Sequence, residues 1–244
     1  MMRILIFFLA MAGMAGERQI FLLIGQSNMA GRAAVPEEWK GEVAGVSLWN
    51  GGAWEAAVPP YNRYATQRKK IFTGLNPGPS FAKAWCEANP DQEIGIVCAA
   101  RGGTRIGQWR AGPSSMPLYD SAIAATKAAL AGGGTLAGIL WHQGESNSKN
   151  PDAYPAALAE LCARLRADLK QPDLPIVFGQ IGAWRAEYAT FNEMITKQAA
   201  KIANTACVTT EDLANKDAAH FNSEGQIGLG KRYAKAMQRL HARR

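Results

Sequence analysis

At 244 residues, 48% hydrophobic and 19% charged, the chain is long enough for one large domain with a full core and too apolar for a disordered protein. Its formal charge of +7 is spread along the sequence. The densest basic spots, Arg68-Lys69-Lys70 and His241-Ala242-Arg243-Arg244, lack the interleaved aromatics of a nucleic-acid stripe, which argues against such a partner and leaves an acidic polysaccharide open.

At the N-terminus, Arg3 precedes an apolar run over residues 4–12, and small residues follow at Gly13, Ala15 and Gly16. A basic start, a short apolar core and a small-residue exit predict a secretory signal over residues 1–15, cut after Ala12 or Ala15, with a single domain over residues 16–244. The run is shorter than the roughly 20 apolar residues of a membrane span. A secreted or periplasmic protein, free of the membrane after cleavage, is therefore expected. The four cysteines, Cys86, Cys98, Cys162 and Cys207, fit no metal spacing and are open to either disulfides or buried thiols.

Compact apolar runs then recur at residues 19–24, 46–49, 94–99, 136–141, 176–180 and 207–210. Near-continuous apolar runs suit parallel strands covered on both faces. Helical faces lie between them: Phe81, Ala84, Trp85 and Ala88; then Leu158, Leu161, Cys162, Leu165 and Leu169. A last helix is predicted from Ser223, with Gln226 three residues on in the form of a capping box, and Tyr233, Met237 and Leu240 on its apolar face. This alternation predicts an α/β fold, a doubly wound three-layer α/β/α sandwich on a mainly parallel sheet of five or six strands. Residues 51–79, rich in Gly, Pro and polar side chains, read as a long excursion above the sheet that walls a cleft.

Ligands of such sheets bind beyond the carboxyl ends of the strands. The polar residues predicted there are Gln26, Ser27 and Asn28; Gly102, Gly103 and Thr104; Gln143, Gly144, Glu145 and Ser146; and Asp217 with His220 before the last helix. A serine nucleophile needs an adjacent base. Of the three histidines, His241 sits in the basic tail, and His142 should point to the opposite side of its strand from Gln143. His220 lies three residues after Asp217, a step that puts both on one side, so Asp217 can hold the ring with its other nitrogen free for Ser27.

The blocks Gly25-Gln26-Ser27-Asn28-Met29, Gly102-Gly103-Thr104, Trp141-His142-Gln143-Gly144-Glu145-Ser146 and Asp217-Ala218-Ala219-His220, in that order, resemble the SGNH hydrolase superfamily. Their wording is similar to its sialate O-acetylesterase and carbohydrate esterase branch, across residues 20 to about 237. The resemblance implies a flavodoxin-like sandwich and hydrolysis of acetyl esters on carbohydrates, with no metal or organic cofactor. It implies Ser27 as nucleophile, His220 as general base and then acid, and Asp217 as its orienting acid. The backbone N–H groups of Ser27 and Gly103 and the side-chain amide of Gln143 would hold the oxyanion. Gln143 stands where the wider superfamily usually has asparagine, which makes lipase and thioesterase readings less fitting.

Other readings stay open. Ser27 suits a helix N-cap, and Gln143 a structural hydrogen-bonder at a strand end. Glu145 is either a structural carboxylate that binds the Ser27 loop or the acid that faces His220. Arg101 and Arg105 are candidates to steer a polar or acidic sugar, and Trp109, followed by Trp49 and Trp54, to stack on sugar rings. The acetylated sugar is either hemicellulose such as acetylated xylan or an O-acetylated sialic acid. Rival functions are a non-catalytic carbohydrate-binding protein and an esterase for apolar acyl chains.

Overall fold

The computed structural model describes residues 17–69 and 73–243, so the proposed leader over residues 1–15 lies outside the described residues. One sheet organises the chain. Its strands are β1 (Gln19–Gly25), β2 (Val46–Trp49), β3 (Trp54–Ala56), β4 (Ile94–Cys98), β5 (Thr135–His142), β6 (Ile176–Gly179) and β7 (Thr205–Val208), in the spatial order β3-β2-β4-β1-β5-β6-β7. Every pairing is parallel except β2 with β3, a hairpin edge over Asn50–Ala53 that the short, mixed sequence of β3 did not announce.

The apolar runs become buried strands because alternate residues enter opposite layers. On β1, Ile20, Leu22 and Ile24 enter one core, while Phe21 and Leu23 enter the other. The first core is closed by α3 (Leu118–Ala131), α4 (Tyr154–Asp168) and α5 (Ala189–Ala199); the second by α2 (Gly78–Ala88) and α6 (Ser223–His241). The result is an α/β/α sandwich. The four cysteines carry free thiols, and burial pushes those of Cys98, Cys162 and Cys207 up to about 12.

The start of α6 differs from expectation. Its N-cap is Asn222, whose side chain accepts from the Gly225 N–H at 2.8 Å. Ser223 instead donates to the Ala34 carbonyl, and the fully buried Gln226 reaches the nucleophile segment rather than its own helix start. Among the described residues no helix is long and apolar enough to cross a membrane.

Strand order reverses at β1: β4 and β2 lie to one side, β5 to β7 to the other. A crevice beyond the carboxyl end of β1 follows from that reversal.

Candidate active site

Gly25 ends β1 with φ +137°, and a Cβ there would sit 2.1 Å from the His142 carbonyl oxygen. Only glycine lets the ends of β1 and β5 approach this closely. The chain then turns into α1 (Ser27–Ala30), a single helical turn. Gln26 is its N-cap and Ser27 its first helical residue, so the hydroxyl of Ser27 is not a cap. Its partner is His220, whose Nε2 lies 3.0 Å from Ser27 Oγ.

His220 Nδ1 lies 2.9 Å from both carboxylate oxygens of Asp217. A tight turn makes this possible: the His220 carbonyl accepts from the Lys216 N–H at 2.7 Å, while Asp217 Oδ1 accepts from the N–H groups of Ala219 and His220. Burial pushes the Asp217 carboxyl up, but the Ala219 N–H, the His220 ring and the His220 N–H outweigh it and hold the group below the ordinary carboxylate value. Serine, imidazole and carboxylate are thus in line.

These groups open into a cleft of about 760 Å³ lined also by Arg32, Lys69, Gly102, Gly103, Glu145, Tyr188 and Lys216. Lys69, Thr73 and Gly74 are the contribution of the excursion expected over residues 51–79. Gly103 has φ +78°, and the backbone N–H groups of Ser27 and Gly103 have no hydrogen-bond partner among the described residues. A Cβ on Gly102 would lie 3.4 Å from the Ser27 Cβ and far inside the Arg32 guanidinium, which ties this turn to the serine.

Several sequence-based candidates lie elsewhere. Gln143 is fully buried, and its amide nitrogen donates to Gln26 Oε1 at 2.9 Å, the Thr104 carbonyl at 3.0 Å and Asn147 Oδ1 at 2.9 Å. With its protons committed there, the amide braces the loops behind the serine instead of facing the cleft as an oxyanion donor. Trp109 is 2% exposed, packs edge-on against Trp141 and donates to Thr104 Oγ1, so no face remains for a sugar. Arg101 binds the Gln67 carbonyl at 2.5 Å and holds the excursion in place. Arg105 is exposed on a second hollow beside the cleft, which shares Glu145, Ser146 and Tyr188 with it. Trp49 and Trp54 pack on each other at the sheet edge.

Glu145 does not contact His220. Its side chain is 5% exposed, accepts a short hydrogen bond from Asn28 Nδ2 and lies 3.7 Å from His142 Nε2. The structural reading therefore fits it, through the Asn28 side chain rather than backbone N–H groups. Sequence reasoning gave Asn28 no role, although it stood in the serine block.

A family model described as "Carbohydrate esterase, sialic acid-specific acetylesterase" matches residues 17–239. A probable carbohydrate esterase of Arabidopsis thaliana is 31% identical over 239 residues, covering 89% of each chain. A crystal structure of an Arabidopsis thaliana protein superposes with a TM-score of 0.81 at 28% identity, covering 91% of this chain and 98% of that one. The structure of NanS has a TM-score of 0.73 at 16% identity, covering 93% and 98%, and a carbohydrate acetylesterase from Xanthomonas citri 0.70 at 20%, covering 93% and 57%. These last two bear on the fold alone.

Proposed function

The chain belongs to the carbohydrate esterase family of sialic acid-specific acetylesterases and is a carboxylic ester hydrolase; from that premise we propose that Ser27 is its nucleophile and acetyl esters of carbohydrates its substrates. One observation carries the reading: Ser27 Oγ, His220 and Asp217 are linked at 3.0 and 2.9 Å, beside two N–H groups that have no partner among the described residues, in an open cleft. Ser27 Oγ attacks the acetyl carbonyl as His220 Nε2 takes its proton, and Asp217 steadies the imidazolium. The N–H groups of Ser27 and Gly103 hold the oxyanion. His220 returns the proton to the departing sugar oxygen; water, activated by the same nitrogen, then cleaves the acetyl-serine to acetate.

The first substrate reading is acetylated hemicellulose such as xylan. The cationic side of the cleft, with Arg32, Lys69 and Lys216, favours a second reading, an O-acetylated sialic acid, whose carboxylate would be attracted there. Acetate release by the purified protein from acetylated xylan, acetylated glucomannan and O-acetyl sialic acid, side by side, separates the two. The Ser27→Ala variant is the control, and acetate release by it at the parental rate refutes the mechanism.

The leader over residues 1–15 supports export to the periplasm or medium, with residues 16–244 as one mature domain. The N-terminal mass of the exported product tests this: a chain retaining Met1 refutes cleavage.

A further inference from the structure

Behind Ser27 lies a buried polar chain that the hydrolytic steps do not use. His142, at the end of β5, is fully buried, with its Nδ1 3.0 Å from the Tyr233 hydroxyl. That hydroxyl also lies 3.1 Å from the Trp141 carbonyl. A carbonyl can only accept, and a phenol has one hydrogen to give, so Tyr233 donates to Trp141 and accepts from His142 Nδ1. His142 Nε2 has no hydrogen-bond partner among the described residues and faces Glu145 Oε1 at 3.7 Å. An imidazole lone pair set against a carboxylate whose Oε1 has only the Asn28 N–H and whose Oε2 has no partner among the described residues is repulsive in a poorly solvated interior, and one added proton turns the contact into attraction.

Glu145 is connected to the base through Asn28. The Asn28 amide nitrogen donates to Glu145 Oε1 and, at 3.0 Å, to the Ala219 carbonyl. Its amide oxygen accepts from the Phe221 N–H at 3.2 Å and from Gln226 Nε2 at 3.4 Å. Ala219 and Phe221 flank His220 in the chain. A single side chain on the nucleophile's helical turn therefore grips both neighbours of the base.

We propose that Glu145 and His142 carry one proton between them, and that this pair, through Asn28, positions His220 over Ser27. The proposal rests on the reading of Ser27 and His220 as nucleophile and base. Glu145 and His142 are positioning residues. The titratable groups around the pair are the phenols of Tyr154 on α4, Tyr188 and Tyr233 on α6, all raised chiefly by burial with Glu145 contributing, and Cys207 of β7 beside Tyr233. Arg105, Lys149 and Arg185 line the hollow that Glu145 shares, but among the described residues the His142 ring is the one cationic partner within 4 Å of its carboxylate.

Two substitutions separate proton count from mere packing. Glu145→Gln keeps an acceptor for Asn28, offers an N–H to His142 Nε2 and does not titrate. It is expected to hold kcat within about threefold of the parent. Glu145→Ala is expected to lower kcat by about 10²-fold with KM nearly unchanged, since a base misplaced by an ångström costs that much. Parental kcat in Glu145→Ala overturns the positioning role; a Glu145→Gln enzyme as slow as Glu145→Ala overturns the one-proton assignment. Nitrogen-15 spectra of the parent's histidine rings give a readout independent of variant folding and of activity. Hydrogen on both His142 ring nitrogens at neutral pH, or on Nδ1 alone with a protonated Glu145 carboxyl in carbon-13 spectra, is expected; a single ring hydrogen beside an ionised Glu145 overturns the proposal. Activity retained by Ser27→Ala would refute the underlying mechanism while leaving the ring spectrum to decide the pair.

Discussion

Asp217–His220 and His142–Glu145 are carboxylate–histidine pairs, each with its members three positions apart in sequence, in opposite surroundings. Asp217 and His220 stand at the cleft, their side chains 48% and 23% exposed, with ring nitrogen and carboxylate at 2.9 Å. Glu145 and His142 lie beneath, 5% and 0% exposed and 3.7 Å apart. The outer pair can exchange protons with substrate and water, so it suits catalysis. The inner pair is almost wholly buried, with only Glu145 reaching the cleft wall, so it suits the holding of geometry. The same two side-chain types are assigned different work by solvent access and by what the far ring nitrogen meets: Ser27 in one case, Tyr233 in the other.

The comparison breaks most visibly at Asp217. Replacing it with asparagine leaves the shape but removes the charge that fixes the tautomer and steadies the imidazolium; a loss of about 10⁴ in kcat is expected by analogy with serine hydrolase triads. If Glu145→Gln costs more than Asp217→Asn in steady-state kinetics, with folding intact, the roles of the two pairs are reversed.

Gln143→Ala sharpens the boundary between cleft and brace. An oxyanion donor would be worth about 10²–10³ in rate. The observed bonds predict a smaller kinetic loss and instead a stability loss of about 1–3 kcal/mol, because Gln26 Oε1 and the Thr104 carbonyl lose a buried donor. Denaturant unfolding measured with kcat on the same samples decides between them. Trp109→Ala should likewise cost about 3–5 kcal/mol of stability, the cost of emptying a buried aromatic site, and leave the KM for sugar esters unchanged.

Much of this was legible in the sequence. Each predicted apolar run overlaps a strand, because a strand buried on both faces leaves a run that no amphipathic helix imitates. That Ser27, Asp217 and His220 meet was legible because the strand ends set where such segments converge. What sequence could not give was direction. Gln143 and Trp109 have the right chemistry for a cleft, but their side chains turn inward, a matter of packing partners distant in the chain. Asn28 escaped notice because its four partners come from positions 145, 219, 221 and 226. The cap at Asn222 was missed because Ser223 offers the same local chemistry, and only its bond to Ala34 removes it from contention.

The smallest expected effect concerns acid stability and bears on the outer pair alone. The Asp217 carboxyl is held below its ordinary value in the folded protein, burial opposing and the Ala219 N–H and His220 outweighing it. Its contribution to stability is therefore fully present above the ordinary carboxylate value and is lost as pH falls through the lower folded value. Asp217 is half exposed, so screening limits the contribution to under about 1 kcal/mol, or at most about 2–4 °C in Tm for a chain of this size. Parent and Asp217→Asn should differ in Tm by a constant amount at neutral pH and converge as the medium is acidified below the ordinary carboxylate range. A gap that persists unchanged into strong acid would mean that the aspartate acts on the fold through its shape and backbone hydrogen bonds, and that its charge serves His220 only.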